Sequence, residues 1–482
     1  MEAFDFMHKQ RVAAKPIPPP DDHEQLPLIV KRCSSFWNRN WKPQNASVHW
    51  NNAVWQVVTP ASTQIYLYSA FFDHRPNAIF PEASGAVQVI GMIWRRLRED
   101  IYCQLWTGDS NFVVVKALVR EIWQRAWDPR DRFYVPALFT CPLTSYLVHV
   151  PEHVSLVTSD FCADQRPPST FLRVRSHTTE IGDTEEAQKK RHTAVCVKGM
   201  DFLEDLSARF VEWLELNFHV GADKVVIYTY SVHPRVLDVI EHYASTGRLE
   251  HIPLTLPGHA PNSPLYRSRF IKRNRQQKRR HELIPYNDCL YRHIGTHDYV
   301  LIVDVDELVV PLKHKDWKDM LDEVKRSANQ GRDIDATWTA FSIANAFFFD
   351  NLTSVQRQKE GAMPSYMHIL NHDKRSRKVS PPGVYGKSFM DTGNVATVFN
   401  HFPLHKQHRT DKVALRPTLY VDANVARKNH YKAVCPIESR DECPDLYGRT
   451  VTDDSATRYD AYVAPKIEEV LKRLGIEPKS EL

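Results

Sequence analysis

The hydrophobic pattern of this chain changes near residue 190. Between about residues 47 and 157, short apolar runs of strand length are separated by turn residues, which is typical of a β-rich, sandwich-like domain. After residue 190, strand-like runs alternate with segments whose apolar residues recur at helical spacing. This alternation predicts an α/β domain built on a doubly wound, parallel sheet.

The second half of the chain is predicted element by element. Apolar runs indicate strands at 194–198, 224–228, 249–253 and 299–303. Helical spacing indicates helices at 202–214, 236–243, 284–294, 317–324 and 463–474. We expect the aromatic-rich residues 336–349 to be buried and residues 380–432 to be irregular.

One predicted strand leads directly into acidic residues. The run at 299–303 is apolar and rich in β-branched residues, which suits a strand covered on both faces. Asp304 and Asp306 follow, and side-chain alternation predicts that they point the same way at the carboxyl end of the strand, where α/β sheets bind ligands. Two adjacent carboxylates favour a divalent cation that keeps positions open for substrate phosphates. The alternative is that these acids only cap a turn before Pro311.

Length and composition indicate a globular protein of two domains. The chain has 482 residues, 42% of them hydrophobic, and a net charge of +5. We predict a flexible stem-like lead-in at 1–45, a β-rich domain with a polar linker at 46–190, a catalytic α/β domain at 191–435 and a C-terminal extension with a helix at 436–482. The basic run from Arg267 to Arg280 lacks interleaved aromatic residues, so we expect no nucleic-acid partner.

Cysteines and glycosylation sequons favour an oxidising compartment. Eight cysteines are an even number without a Cys-x-x-Cys pair, and Cys435 with Cys443 is the best candidate for a disulfide. Sequons begin at Asn45 and Asn351. Residues 1–30 contain no apolar run long enough for a signal peptide or membrane anchor, so we expect either a cytosolic chain or a true amino terminus that lies upstream.

Several blocks of sequence, in order between about residues 50 and 435, resemble glycosyltransferase family 92. The blocks are YSAFFDHR at 68–75, CVK at 196–198, EWLEL at 212–216, GADKV at 221–225, NDCLYR at 287–292, DVDE at 304–307, GKS at 386–388, NHF at 400–402 and HYK at 430–432. The resemblance implies a GT-A (Rossmann-like) nucleotide-sugar-binding domain and a Mn²⁺-dependent inverting reaction. It implies transfer of galactose from UDP-galactose, in β1,4 linkage, to galactose or fucose on glycoprotein glycans. It also implies a type II membrane protein of the Golgi lumen.

The resemblance and the predicted strand ends suggest the site residues. Asp306 would hold the metal against the diphosphate, and Asp304 would do so directly or through the ribose of the nucleotide. A third ligand would be His401, which we prefer, or His430. An inverting transfer needs a carboxylate that takes the proton from the acceptor hydroxyl. The candidates are Asp350, which we prefer, Asp391 and Glu360.

Other polar residues are candidates for binding the nucleotide. Lys198 and Tyr228 end predicted strands, where the uridine and ribose would lie. Asn287 and Asp288 lie on the helix before the metal strand, although Asp288 has the spacing to pair with Arg292 instead. Cationic donors for the diphosphate are Arg279, Arg280 and Lys387.

Two other functions fit parts of the sequence. A haloacid-dehalogenase-type phosphatase also places Asp-x-Asp after an apolar strand, with the first Asp as nucleophile. In that fold the motif normally comes first, whereas here three βα units precede it. A non-catalytic glycan-binding protein would use the β-rich domain and would bind sugar without Mn²⁺ or UDP.

Overall fold

The protein is described by a computed structural model over residues 28–31, 47–60, 62–107, 112–143, 149–158, 168–176, 190–330, 336–352, 364–408 and 414–477. Nearly all of the predicted lead-in lies outside the described residues, as does Glu360. The described part is a mixed α/β protein in which two large sheets are joined through a shared hydrophobic core. Among the described helices, none is long and apolar enough to cross a membrane.

The first sheet has ten strands and is mostly antiparallel, as the short apolar runs predict. Its strands are β1 (Val30–Lys31), β2 (Gln56–Val58), β3 (Ile65–Asp73), β4 (Ala86–Trp94), β5 (Ile101–Trp106), β6 (Phe112–Lys116), β7 (Leu118–Glu121), β8 (Tyr134–Pro142), β9 (His153–Thr158) and β10 (Leu172–Arg175). The sequence did not predict β8, which contains two prolines yet is completely buried. A disulfide between Cys103 and Cys141 joins β5 to β8.

The second sheet has seven strands in the order β13-β12-β11-β14-β20-β17-β24. They are β11 (Arg191–Phe202), β12 (Lys224–Val232), β13 (Leu249–Pro253), β14 (His297–Ile302), β17 (Ala340–Ile343), β20 (Lys387–Asp391) and β24 (Leu419–Tyr420). The first four in chain order are parallel, as predicted. However, β20 runs antiparallel between β14 and β17, so the sheet is mixed rather than wholly parallel.

A three-stranded sheet of β15 (Glu307–Pro311), β25 (Ala426–Lys432) and β18 (Asn345–Phe349) lies next to the second sheet. The register pairs Glu307 with His430, which places β25 beside the turn after β14. The prediction that residues 380–432 are irregular is therefore wrong. The remaining strands are β16 (Ala336–Trp338), β19 (Lys374–Ser376), β21 (Val395–Val398), β22 (Pro403–Lys406), β23 (Ala414–Arg416) and β26 (Thr450–Thr452).

Seven α-helices are described, and periodicity predicted five of them. They are α1 (Ser207–Val220), α2 (Pro234–Ser245), α3 (Pro264–Arg273), α4 (Arg275–His293), α5 (Trp317–Asn329), α6 (Cys443–Gly448) and α7 (Asp460–Arg473). Short 3₁₀ turns cover Asp350–Leu352, Ile437–Glu442 and Thr457–Tyr459. Helix α7 buries Val463 and Ile467 in the same core as Trp213 of α1, so the C-terminal segment contributes to the second sheet's core.

Helix α4 packs between the two large sheets. Its residues Leu283 and Leu290 share one core with Phe71 of the first sheet and Val300 of the second. A disulfide from Cys196 to Cys289 ties α4 to β11. The predicted disulfide between Cys435 and Cys443 is confirmed. The helix is therefore enclosed, whereas the acidic turn after β14 lies at the sheet's edge.

Candidate active site

Asp304 and Asp306 lie in the turn that joins β14 to β15. The Glu307 backbone N–H donates to the carbonyl of Asp304 at 3.0 Å, and the Asp304 N–H donates to the Glu307 carboxylate at 3.0 Å. Strand β14 is buried up to this point, as its apolar run predicts. The two aspartates are thus presented by a tight turn at the carboxyl end of the strand rather than by strand alternation.

Each acid of this turn meets at least one lysine. The Asp304 carboxylate lies 2.9 Å from the Lys198 ammonium, and the Asp306 carboxylate contacts Lys432. Glu307 lies 2.5 Å from Lys428. Burial would raise the pKa values of Asp304 and Glu307, but the neighbouring ammonium groups outweigh burial and lower both. The acids are therefore ionised at neutral pH.

The four lysines of the site divide by exposure. The side chains of Lys387 and Lys428 are 1% exposed, and both contact Glu307. Lys387 also donates to Asn400 at 2.6 Å and lies 3.6 Å from Asp304. Lys198 and Lys432 are about one third exposed. The first pair balances a buried carboxylate, and the second pair is accessible to a ligand.

Two histidines from the C-terminal region lie near these charges. The Nε2 of His430 is 3.6 Å from the Asp306 carboxylate, and neither of its ring nitrogens has a hydrogen-bond partner among the described residues. The Nδ1 of His401 lies 2.6 Å from the carbonyl oxygen of Gly386. That contact makes Nδ1 the donor and leaves Nε2 with a lone pair. Burial lowers the pKa of His401 to about 3, so the ring is neutral.

A cavity of about 220 Å³ opens beside the acidic turn. Asp306, Lys432, Asp350 and His368 are among the residues that line it. Asp350 therefore lies in the same cavity as Asp306, and its carboxylate contacts two imidazoles. Contacts with the imidazoles of His368 and His372 hold the pKa of Asp350 well below its usual range. A carboxylate with so low a pKa is a weak base, and its role as the proton acceptor stays a prediction.

Helix α4 does not bring its candidate residues to this cavity. The Tyr228 hydroxyl donates to the Asp288 carboxylate at 2.6 Å, and Arg292 pairs with the same oxygen at 2.5 Å. This is the i,i+4 pairing that the sequence offered as the alternative. Asn287 bonds to the backbone of Leu283 and Val398. These contacts hold α4 in place, and the geometry gives no support to nucleotide binding by Tyr228, Asn287 or Asp288.

Arg280 is also enclosed. Its guanidinium is 0% exposed, donates to the carbonyl of Asp128 at 3.0 Å and lies over the rings of Trp123 and Phe133.

Asp391 pairs with Tyr299 at the opposite end of β14 from the acidic turn. Neither position supports the predicted phosphate-binding role of Arg280 or the predicted base role of Asp391.

Several residues of the site were not among the sequence candidates. Lys428 and Lys432 lie on β25 with His430, at alternating positions that share one face. This alternation is the sequence signal for a strand. We missed it because residues 380–432 were predicted to be irregular. His368 and His372, four residues apart, carried a second signal, because such spacing places two side chains on one side of a helical turn.

Comparison with known proteins places these residues in one family. A family model described as glycosyltransferase family 92 matches residues 191–463. The match covers more than half of the chain and continues past residue 435 into helix α7. It includes the acidic turn, all four lysines and both pairs of histidines. A search among curated proteins found no match.

Proposed function

The chain belongs to glycosyltransferase family 92, and from that membership we propose that it is a metal-dependent inverting galactosyltransferase. The proposed reaction moves galactose from UDP-galactose to a galactose or fucose residue of a glycoprotein glycan, in β1,4 linkage. The donor and the linkage rest on the sequence resemblance. The observation that supports the chemistry is the acidic turn at the end of β14, which has two partly exposed lysines and a cavity lined by Asp306 and Lys432. The mixed seven-stranded sheet, with its acids at the carboxyl end of a central strand, supports a GT-A arrangement.

The residues of the turn fit a divalent cation. Asp306 contributes a carboxylate that is 36% exposed, and His430 contributes an imidazole whose nitrogens have no hydrogen-bond partner in the described part of the chain. Carboxylates with one imidazole suit Mn²⁺ as well as Mg²⁺. We therefore propose Asp304, Asp306 and His430 as its ligands, with His401 as the alternative to His430. When bound, such a cation neutralises negative charge that develops on a departing diphosphate.

Lys198 and Lys432 are the proposed partners of the diphosphate. Each now neutralises one aspartate, and each is about one third exposed. An ammonium in this position can turn from a carboxylate to a phosphate oxygen, because both are anionic acceptors. Lys387 and Lys428 stay buried against Glu307 and hold the turn in shape. The chain thus supplies two mobile and two fixed positive charges around the leaving group.

The three described disulfides support a luminal site of action. Disulfides persist in oxidising compartments, and the described cysteines are all paired. This agrees with the proposed location in the Golgi lumen, where nucleotide-sugar donors meet glycoprotein acceptors.

The test is a turnover assay with purified protein. A panel of UDP-hexoses is incubated with fucosylated and galactosylated glycan acceptors, with Mn²⁺ or with excess chelator. We expect UDP release and a galactosylated product with UDP-galactose and Mn²⁺ only. Release of inorganic phosphate without UDP would instead favour the phosphatase, and acceptor binding with no turnover of any donor would favour a glycan-binding protein.

A further inference from the structure

Three side chains of types that can bind a metal ion meet beside the cavity, and two of them, Asp350 and His368, line it. The Oδ1 atom of Asp350 lies 3.0 Å from Nε2 of His368 and 3.1 Å from Nε2 of His372. His372 is 4% exposed and His368 is 18% exposed, so both rings are largely enclosed. Among the described residues, these three form a group whose ligand atoms all lie within 4.8 Å of one another. Asp304 and Asp306 do not belong to this group.

The chain builds this group on two short turns. Asp350 begins the 3₁₀ turn that directly follows the buried strand β18. The two histidines lie one helical turn apart, in a segment closed by a hydrogen bond from the Asn371 N–H to the carbonyl of Met367 at 3.2 Å. Strand β18 and this turn fix where the carboxylate and the two rings meet.

A buried carboxylate from α1 holds the histidine turn. The oxygens of Glu212 accept the backbone N–H groups of Ile369 at 3.0 Å and Leu370 at 2.8 Å. Glu212 is 0% exposed, and these two donors are the residues that directly follow His368. The turn is therefore preorganised by a group that does not itself touch Asp350.

The hydrogen bond of His372 sets which of its nitrogens carries a lone pair. Its Nδ1 lies 2.6 Å from the carbonyl oxygen of His368, so Nδ1–H is the donor. In the neutral ring, Nε2 then points a lone pair at the Asp350 carboxylate, 3.1 Å away. Two acceptors at this distance repel each other unless a positive charge lies between them. A proton or a metal ion meets that need.

The spacing of the ligand atoms is compatible with a metal ion, and their chemistry points to the class of metal. Two ligand atoms on a tetrahedral Zn²⁺ lie about 3.3 Å apart, since each is about 2.0–2.2 Å from the metal. The two distances from Asp350 are close to this value. Two imidazoles with one carboxylate suit zinc-class transition metals better than Mg²⁺ or Ca²⁺, which prefer oxygen ligands. Three protein ligands leave a fourth position for water.

We propose that Asp350, His368 and His372 bind a zinc-class transition-metal ion, separate from the cation proposed at Asp304 and Asp306. Asp350 and His368 line the cavity, so the open fourth position faces the space in which substrates would bind. In this state Asp350 acts as a ligand rather than as the proton acceptor. The assignment does not depend on the donor, the acceptor or the linkage.

The test is metal binding by the full, tag-free chain after treatment with a chelator. Co²⁺ is titrated while the visible absorption of low-coordinate Co²⁺ is followed, and Zn²⁺ is then added as a competitor. Metal content is also measured by mass spectrometry after gel filtration. We expect one tightly held Zn²⁺ per chain and a Co²⁺ absorption band that Zn²⁺ removes. Asp306→Asn should leave this band unchanged, because that residue belongs to the other proposed site.

Variants separate this site from other histidines of the chain. His372→Ala and His368→Gln should each weaken Zn²⁺ binding by at least about 100-fold. His233→Ala is the matched control, since His233 lies near a carboxylate, 3.8 Å from Asp205, but belongs to no cluster of three ligand side chains within the described residues. It should bind Zn²⁺ as the wild type does. If His372→Ala does not fold, as judged by circular dichroism, the more conservative His368→Gln carries the test. Equal Zn²⁺ affinity in the wild type and the His368→Gln variant, or a wild type that retains no metal, would overturn the proposal.

Discussion

Two groups of polar residues lie before and after strand β14 in the chain, and they differ in whether their side chains reach solvent. At the acidic turn, Asp306 is 36% exposed and faces a cavity. On α4, Asp288 is 0% exposed and is held by Tyr228 and Arg292. Both groups contain an aspartate paired with a cationic side chain, one on the helix before β14 and one in the turn after it. Access to solvent, rather than residue type, separates a binding group from a structural one.

The position of α4 explains this difference. The helix lies between two sheets, so a polar side chain on its buried face loses hydration and needs a partner inside the protein. The turn after β14 lies at the rim of one sheet and keeps part of its charge in contact with solvent. Substitutions in the two groups should therefore affect different properties.

The largest expected effect is on activity, in Asp306→Asn. Loss of this carboxylate removes a proposed metal ligand, and we expect turnover to fall by about 1,000-fold or more. The free energy of unfolding should change by less than about 1 kcal/mol, because Asp306 is partly exposed and its lysine partner can return to solvent. Turnover is measured with saturating Mn²⁺ and stability by urea titration. Near-normal turnover in this variant would show that the carboxylate of Asp306 is not needed for the reaction.

The matched substitution on α4, Asp288→Asn, should lower stability and leave activity nearly unchanged. It takes one of two carboxylates from the largely buried Arg292, which keeps Glu250, and should lower the free energy of unfolding by about 2 kcal/mol. Turnover per folded molecule should stay within about twofold of the wild type. The same urea and turnover measurements apply. A stable Asp288→Asn variant that no longer binds UDP would show that α4 contacts the nucleotide after all.

The next comparison separates the two candidate histidines. His430→Ala should weaken Mn²⁺ binding by about 10- to 100-fold, because His430 lies 3.6 Å from Asp306 with no hydrogen-bond partner in the described segments. His401→Ala is the control and should have a smaller effect. Free Mn²⁺ is measured by electron paramagnetic resonance during titration. A larger loss in His401→Ala would identify the ligand that the sequence alone favoured.

The smallest expected effect is a pH dependence on the enclosed face of α4. Burial lowers the pKa of His281 from 6.5 to about 3, so the neutral ring is favoured in the folded state. Its contribution to stability is therefore present above pH 6.5 and is lost as the pH falls toward 3. Between pH 7 and pH 5 the wild type should lose about 2 kcal/mol more than His281→Leu. The free energy of unfolding is measured by urea titration at each pH. If it changes equally with pH in the wild type and in His281→Leu, His281 is not buried as described.

The sequence predicts the parallel strands and most helices because their burial is visible as apolar periodicity. Strand β25, with the sequence ARKNHYK, is different: Lys428 is buried by pairing with Glu307 rather than by being apolar. Strand β20 begins with Lys387, which is buried in the same way. Burial that depends on ion pairs between distant segments is not visible in the local pattern of apolar residues. For this reason the two strands that complete the acidic site could not be predicted.

The candidate site was predictable only where residues lie near a strand end in the sequence. Asp304, Asp306 and Lys198 lie at or just after the carboxyl ends of predicted strands, and the structure brings them together. Tyr228 satisfied the same rule, yet its side chain points into the core between the sheets. The contact between Asp350 and the histidines depends on how β18 and the 364–372 turn pack, which no local pattern encodes.

The central claim is that a cation at Asp304 and Asp306 holds the diphosphate of the donor, and calorimetric titration of UDP tests it most directly. UDP is added to chelator-treated wild type, Asp306→Asn and Asp288→Asn, each with and without Mn²⁺. We predict that Mn²⁺ tightens UDP binding by at least about tenfold in the wild type and in Asp288→Asn, but not in Asp306→Asn. UDP affinity that is the same with and without Mn²⁺ in the wild type, or a full Mn²⁺ effect in Asp306→Asn, would contradict the claim.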